Sequence, residues 1–328
     1  IGDFIGSDVR LPDMRPSKLV NTYAKYASDK VDLFIGGQLA NDFRGFPKSR
    51  VYYAQITRLE IWEASQIVFD SLGFGETVTI VKGLNIGSSA VLADQAITKL
   101  FSELANSVEE ARTSNNAPLE RVLFFHEKYT AYVATLTIFC LALRDANPID
   151  VQSNQVLQGQ KFLIVNDKEV HDDASPQPVT ICQILQEQFG LYRAHCGALL
   201  IRLNKAKDPA FNKFMQSLQS VLAGDARSIF ITPTALKGFS STRVSSTWSI
   251  QAPLNFGRHF WATNFRRLDI SDREISAHLR HQQKGNLNWS ADSNLILSSF
   301  IQKIDEAQTK KLCELDIHAI PGLIRSAA

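Results

Sequence analysis

The chain has 328 residues, is 45% hydrophobic and carries a formal charge of +2. A chain of that size fits about two domains, and its near-neutral balance excludes a globally basic nucleic-acid coat, leaving only local clusters of charge for any DNA surface. Four cysteines with no CxxC pair and no Cys/His metal spacing exclude a zinc or disulfide framework, and they read as small buried hydrophobes of a reduced, cytoplasmic protein (nucleoid-associated if bacterial) that needs no metal or other cofactor.

In chain order, residues 1–85 read as a helical N-terminal region, with patterns near Lys18–Phe34 and Val51–Leu72. The second pattern puts Ile56, Leu59, Ala64, Ile67 and Val68 on one face, with Ile61 at its edge. Turn residues in Lys82–Ser89 predict a boundary there, so residues 86–328 form a second domain. Its first helix, from near Ser89, has the apolar face Ile97, Leu100, Phe101, Leu104 and Val108. The polar stretch Thr113–Pro118 ends it. A second helix, from Leu119 to about Arg144, is apolar all round and therefore belongs in a core. It contains His126, Glu127 and Lys128, which argues against a membrane span.

Lys161–Val170 carries the clear β signal: Phe162–Val165 is a short strand, Asn166-Asp167 a turn, and a second strand resumes at Lys168. Pro178–Ile181 is a candidate third strand. Asp208–Leu222 predicts a helix with Asp208 as N-cap, Pro209 at the first position and Gly224 past the end. Helices follow at Gly257–Leu268, Asp272–Arg280 and Asn294–Leu312, the middle one opened by the capping box Ser271–Glu274. The fold class is mainly α with a small antiparallel β-sheet (α+β).

Arg144, Lys168, Arg258 and His281 are each unremarkable alone, as a helix-terminal arginine, a turn lysine and members of Arg-His pairs. Together they fall in an order that matters. Arg258 to Lys284 also gathers His259, Arg266, Arg267, Arg273, His278, Arg280 and His281, opposed only by Asp269, Asp272 and Glu274. Such a cluster suits phosphate contacts.

The set resembles the catalytic domain of tyrosine recombinases and phage integrases. LALRDA resembles the family's first-arginine motif and gives Arg144. VNDKEV resembles its hairpin lysine and gives Lys168. NFGRHFWAT resembles the His-x-x-Arg box and gives Asn255 and Arg258, and HLRH resembles the Leu-Gly-His motif and gives His281. The resemblance covers about residues 86–310. It implies that Arg144, Arg258 and His281 hold a scissile phosphate, that Lys168 protonates the leaving oxygen, and that Arg266, Arg267, Arg273, Arg280 and Lys284 contact DNA. Duplex DNA is then the partner, bound by a homo-oligomer away from any membrane. The N-terminal region would be part of a core-binding DNA domain, with Lys25, Lys30, Arg44, Lys48, Arg50 and Arg58 available to phosphates.

Three departures stand out. Asn255 replaces the usual histidine or lysine and cannot act as an acid or base at neutral pH. Arg280 replaces the glycine of Leu-Gly-His, a change that is tolerable if the site is at the surface. No tyrosine follows Tyr192; Ser290 stands at the expected nucleophile position and Phe300 is the later aromatic candidate. The tyrosine has been replaced, or the protein is a catalytically silent accessory or regulatory relative, or Ser290 substitutes for it, or it comes from beyond Ala328 or a partner. Tyr129, Tyr132 and Tyr192 read as core residues.

Overall fold

The computed structural model describes residues 29–31, 35, 53–71, 86–88, 90–114, 117–145, 149–157, 160–165, 176–281, 288–289 and 293–323. It divides into two units, Ile1–Ser88 and Ser89–Ala328, and it is mainly helical with small antiparallel pairs of strands.

In the first unit, β1 (Gln55–Ile56) precedes α1 (Arg58–Ser71), and β2 (Ile86–Gly87) pairs antiparallel with β1. The expected helix from Val51 therefore begins later. Its start is fixed by a reciprocal cap: Thr57 N–H donates to Glu60 Oε2 at 2.6 Å, and Glu60 N–H donates to Thr57 Oγ1 at 3.1 Å. Ile35, Ala54, Ile56 and Ala64 form a core, with Val31 and Ile61 against it. Leu59 and Ile67, expected on the buried face, are exposed: nine residues of helix put Leu59 opposite Val68, and the face carrying Ala64 and Val68 is the one that is buried.

The second unit is built around one helix. α2 (Asp94–Ala111) buries the five residues expected of it, Ile97, Leu100, Phe101, Leu104 and Val108, and packs on α3 (Leu119–Cys140). The side chains of α3 from Tyr129 onward are all buried. A helix apolar all round needs neighbours on every side, and α3 has α2, α5 (Gln183–Ala206), α7 (Ser241–Ser245) and α8 (Phe256–Arg267). Gly257 permits the α3–α8 crossing: a Cβ there would meet Phe139 O at 2.8 Å and Phe139 Cα at 3.0 Å.

Between α3 and α5 lie α4 (Ser153–Leu157) and the sheet of β3 (Phe162–Val165) with β4 (Gln177–Thr180), which pairs Phe162 with Thr180 and Val165 with Gln177. Among the described residues the strand partner of β3 is β4, at the place of the candidate third strand; the Asn166-Asp167 turn and the strand expected to resume at Lys168 lie outside the described residues. The helix expected at Asp208–Leu222 is split into a 3₁₀ turn, Pro209–Phe211, capped by Asp208, and α6 (Asn212–Ala223), closed by Gly224 at φ 93°. α9 (Asp272–His278) carries the Ser271–Glu274 capping box, and α10 (Leu297–Glu314) closes the unit. Cys140, Cys182 and Cys196 are buried as expected, whereas Cys313, at the end of α10, is exposed. No described helix is long and apolar enough to cross a membrane.

After α10 the backbone runs without regular structure across α3 and α5. Tyr132 OH donates to His318 O, and Tyr129 OH and Gln188 Nε2 both donate to Ile320 O. Gln188 Oε1 accepts from Ile320 N–H in return. Leu323 N–H donates to His195 Nδ1 at 3.0 Å. That bond fixes the protons of a buried pair. His195 must carry its proton on Nε2, which it donates to His126 Nδ1 at 2.9 Å, and His126 donates from Nε2 to Ile231 O at 2.8 Å. Both rings are neutral: burial pushes His126 down to about 4 and holds His195 well below the ordinary histidine value, with His126 adding to the effect.

Candidate functional site

Three members of the basic region, Arg258, His278 and Arg280, converge on the C-terminal end of α3 and the turn that follows it. A helix leaves its last carbonyls without partners in its own ladder, and here they lie in the protein interior. Trp261 Nε1–H of α8 donates to Phe139 O at 2.8 Å. Cys140 O accepts from Gln308 Nε2 of α10 at 2.6 Å and from His278 Nε2 of α9 at 3.2 Å. Beyond the helix, Leu141 O accepts from Arg280 Nη1 at 2.9 Å. Ala142 O accepts from Arg258 Nη1 at 3.0 Å and from Arg280 Nη2 at 2.5 Å. Arg258 Nη2 also donates to Leu279 O.

Two guanidinium groups, each 1% exposed or less, thus sit at the negative end of a 22-residue helix. The dipole and the aligned carbonyls oppose their charge, as a buried cation requires. The cost of charge falls on the neighbouring imidazole. Burial, then Arg280 and Arg258, push His278 down to about 3, so it stays neutral and its ring N–H serves Cys140 O.

Both turns at this point use the left-handed backbone. Leu143 N–H returns to Ile138 O at 3.1 Å, with Ala142 at φ 47°. His281 N–H returns to Ser276 O at 2.8 Å, with Arg280 at φ 55°. Each is a paired-bond helix end whose left-handed slot glycine fills without strain. A side chain there costs about 1–2 kcal/mol, and Arg280 offsets it with hydrogen bonds from a charged donor, about 1.5–3 kcal/mol each. The surface site on which a DNA contact by Arg280 depends is not found: the residue is buried, and its donors are turned onto backbone carbonyls.

Arg144 follows this turn, half-buried, rather than lying in the last turn of the helix. Asn255 is the half-buried N-cap residue of α8. Arg258 is brought to the same place but is wholly buried, so in this arrangement it serves the protein interior. His281 is buried too, and its carbonyl accepts from Asn288 Nδ2 at 2.9 Å. Arg266 is half-buried and Arg267 exposed. Arg273 donates to Asn294 Oδ1 and Ser293 Oγ, which anchors the chain before α10. Phe300 is 1% exposed, its ring edge-to-face with Trp289 at 5.1 Å. Lys168, Lys284 and Ser290 lie outside the described residues, as do Lys25, Arg44, Lys48 and Arg50, while Lys30 and Arg58 are exposed.

Trp261, His278 and Gln308 were not legible as members of this cluster. The first two lie in the basic region, but nothing in sequence marks Gln308, a polar residue within α10. No family model, curated protein or solved structure matches the chain.

Proposed function

We propose that the unit 89–328 binds duplex DNA on the plan of a tyrosine-recombinase catalytic domain, and that this chain holds the phosphate backbone without a tyrosine to cut it. The observation that carries the reading is the convergence at the end of α3. Arg144, Arg258 and the Leu-Arg-His segment were picked from separate stretches of sequence, and the elements bearing them meet through Ala142 O and Leu141 O.

In this reading the half-buried Arg144 and Arg266 and the exposed Arg267 contact phosphate. Arg258 and Arg280 support the turn from inside. The stretch between Tyr192 and Ala328 holds no tyrosine, so these residues do not themselves supply the nucleophile, and the reading proposed is that of a DNA-holding unit in a silent, accessory or regulatory role. Phe300 makes a poor nucleophile position, since a hydroxyl there would be enclosed with Trp289.

The test is binding of a labelled duplex across a salt series, followed by denaturing electrophoresis. The expected result is retention that weakens with salt, and no denaturant-stable adduct. Arg144→Gln and Arg267→Gln should each lower the slope of log K against log salt by about 1. No binding at any salt refutes the DNA reading, and a stable adduct refutes the silent one.

A further inference from the structure

The carbonyls held by Arg280 are not those of α3 itself. Leu141 and Ala142 lie past Cys140, the last helical residue, so the guanidinium grips the turn rather than the helix. It bridges the two carbonyls with separate nitrogens and reaches back to His278 O of its own segment at 3.0 Å. Arg258 adds a second guanidinium to Ala142 O and ties it to Leu279 O. The turn after α3 and the turn after α9 are thereby fastened to each other through two fork-shaped cations. Arg144 leaves the first turn two residues beyond Ala142.

We infer that Arg280 is a positioning residue: clamped with Arg258 on the 141–142 turn, it fixes the direction in which Arg144 is presented. The inference rests on the proposed DNA reading for what Arg144 touches, and on geometry alone for the clamp. A charged side chain in a left-handed backbone slot and out of solvent is an expensive way to end a helix. Glycine would end α9 with less strain, so what the arginine adds is the grip on the other turn. Lysine, a single ammonium, cannot span Leu141 O and Ala142 O as a planar fork does.

The test uses the full chain and the variants Arg280→Gly, Arg280→Lys, Arg144→Gln and the double Arg144→Gln/Arg280→Gly. Amide hydrogen exchange is followed in the 141–145 turn and in the interior of α3. In Arg280→Gly the turn should exchange about tenfold faster, with the interior of α3 within about twofold of the parent, and Arg280→Lys should fall between. Affinity for a labelled duplex should drop about tenfold in Arg144→Gln and in Arg280→Gly alike, and the double variant should lose no more than the single ones. Unchanged protection of the turn overturns the clamp. Additive losses in the double variant overturn the link to Arg144. If Arg144→Gln leaves affinity intact, the DNA role of Arg144 falls, and the exchange of the turn by itself decides the clamp.

Discussion

The buried histidine pair makes acid stability a quantitative test of the packing between α3, α5 and the segment that follows α10. Each ring nitrogen of the relay has one role: Leu323 N–H to His195, His195 to His126, His126 to Ile231 O. A proton added to His126 Nδ1 faces the Nε2 proton of His195. If His195 yields by moving its proton to Nδ1, it confronts Leu323 N–H. The surroundings offer little to hold a charge: Tyr129, Tyr192 and Cys196 have their own ionisation pushed up by burial. Glu127 is occupied by Arg243 at 2.6 Å, and Arg112, over Phe125, is cationic.

Unfolding releases His126 from about 4 to its ordinary value of 6.5, so the unfolded chain binds the extra proton in between. The stabilisation from a neutral His126 is complete above pH 6.5 and is lost as pH falls towards 4. Between pH 6.5 and 4.5 this amounts to about 2 to 3 kcal/mol, or roughly 1 M in a urea midpoint. Arg112 holds Glu109 below 4.5, and Ser271 and Lys303 outweigh burial to do the same for Glu274, so their losses come at lower pH. Urea unfolding followed by circular dichroism from pH 7 to 4.5 should show stability falling steeply with pH. His126→Gln should remove about one proton from that slope. Equal slopes in the two proteins would refute the neutral relay.

Two other outcomes follow from local packing. Gly257→Ala places a methyl 2.8 Å from Phe139 O; because the obstacle is backbone, we expect a loss of about 1–3 kcal/mol in chemical denaturation. Phe300→Tyr should give no denaturant-stable adduct with duplex DNA and should lower thermal stability, since its hydroxyl enters a site that is 1% exposed.

Local signals carried much of the fold. The 3.6-residue spacing of Ile97, Leu100, Phe101, Leu104 and Val108 named the buried face of α2, and Ser271 with Glu274 named the start of α9. Where the reading missed, a non-local partner or a local cap set the outcome. Ile56 joined a strand with Ile86, the Thr57 cap started α1 later than its pattern suggested, and burial of the Ala64 and Val68 face left Leu59 and Ile67 exposed. The candidate site was legible as an ordered set of basic residues, but not in its direction. Sequence marks an arginine as charged; it does not say that Arg258 and Arg280 face inward. That depends on the carbonyls of Leu141 and Ala142 in the turn after α3, which leave water only once the helix is buried on all sides.

The end of α3 also has a bearing on the order in which the chain is made. Its carbonyl partners are Trp261, His278, Arg258, Arg280 and Gln308, some 116 to 168 residues further along. While α3 leaves the ribosome none of them exists, and Cys140 O, Leu141 O and Ala142 O lack the side-chain donors that hold them in the folded unit. The helix therefore cannot bury that end until α8, α9 and α10 have been synthesised, which makes the unit one of long-range contacts and slow final closure. Until then the apolar stretch from Tyr129 to Leu143 waits without its cover, and a nascent chain stalled before residue 258 is the species that most needs a chaperone.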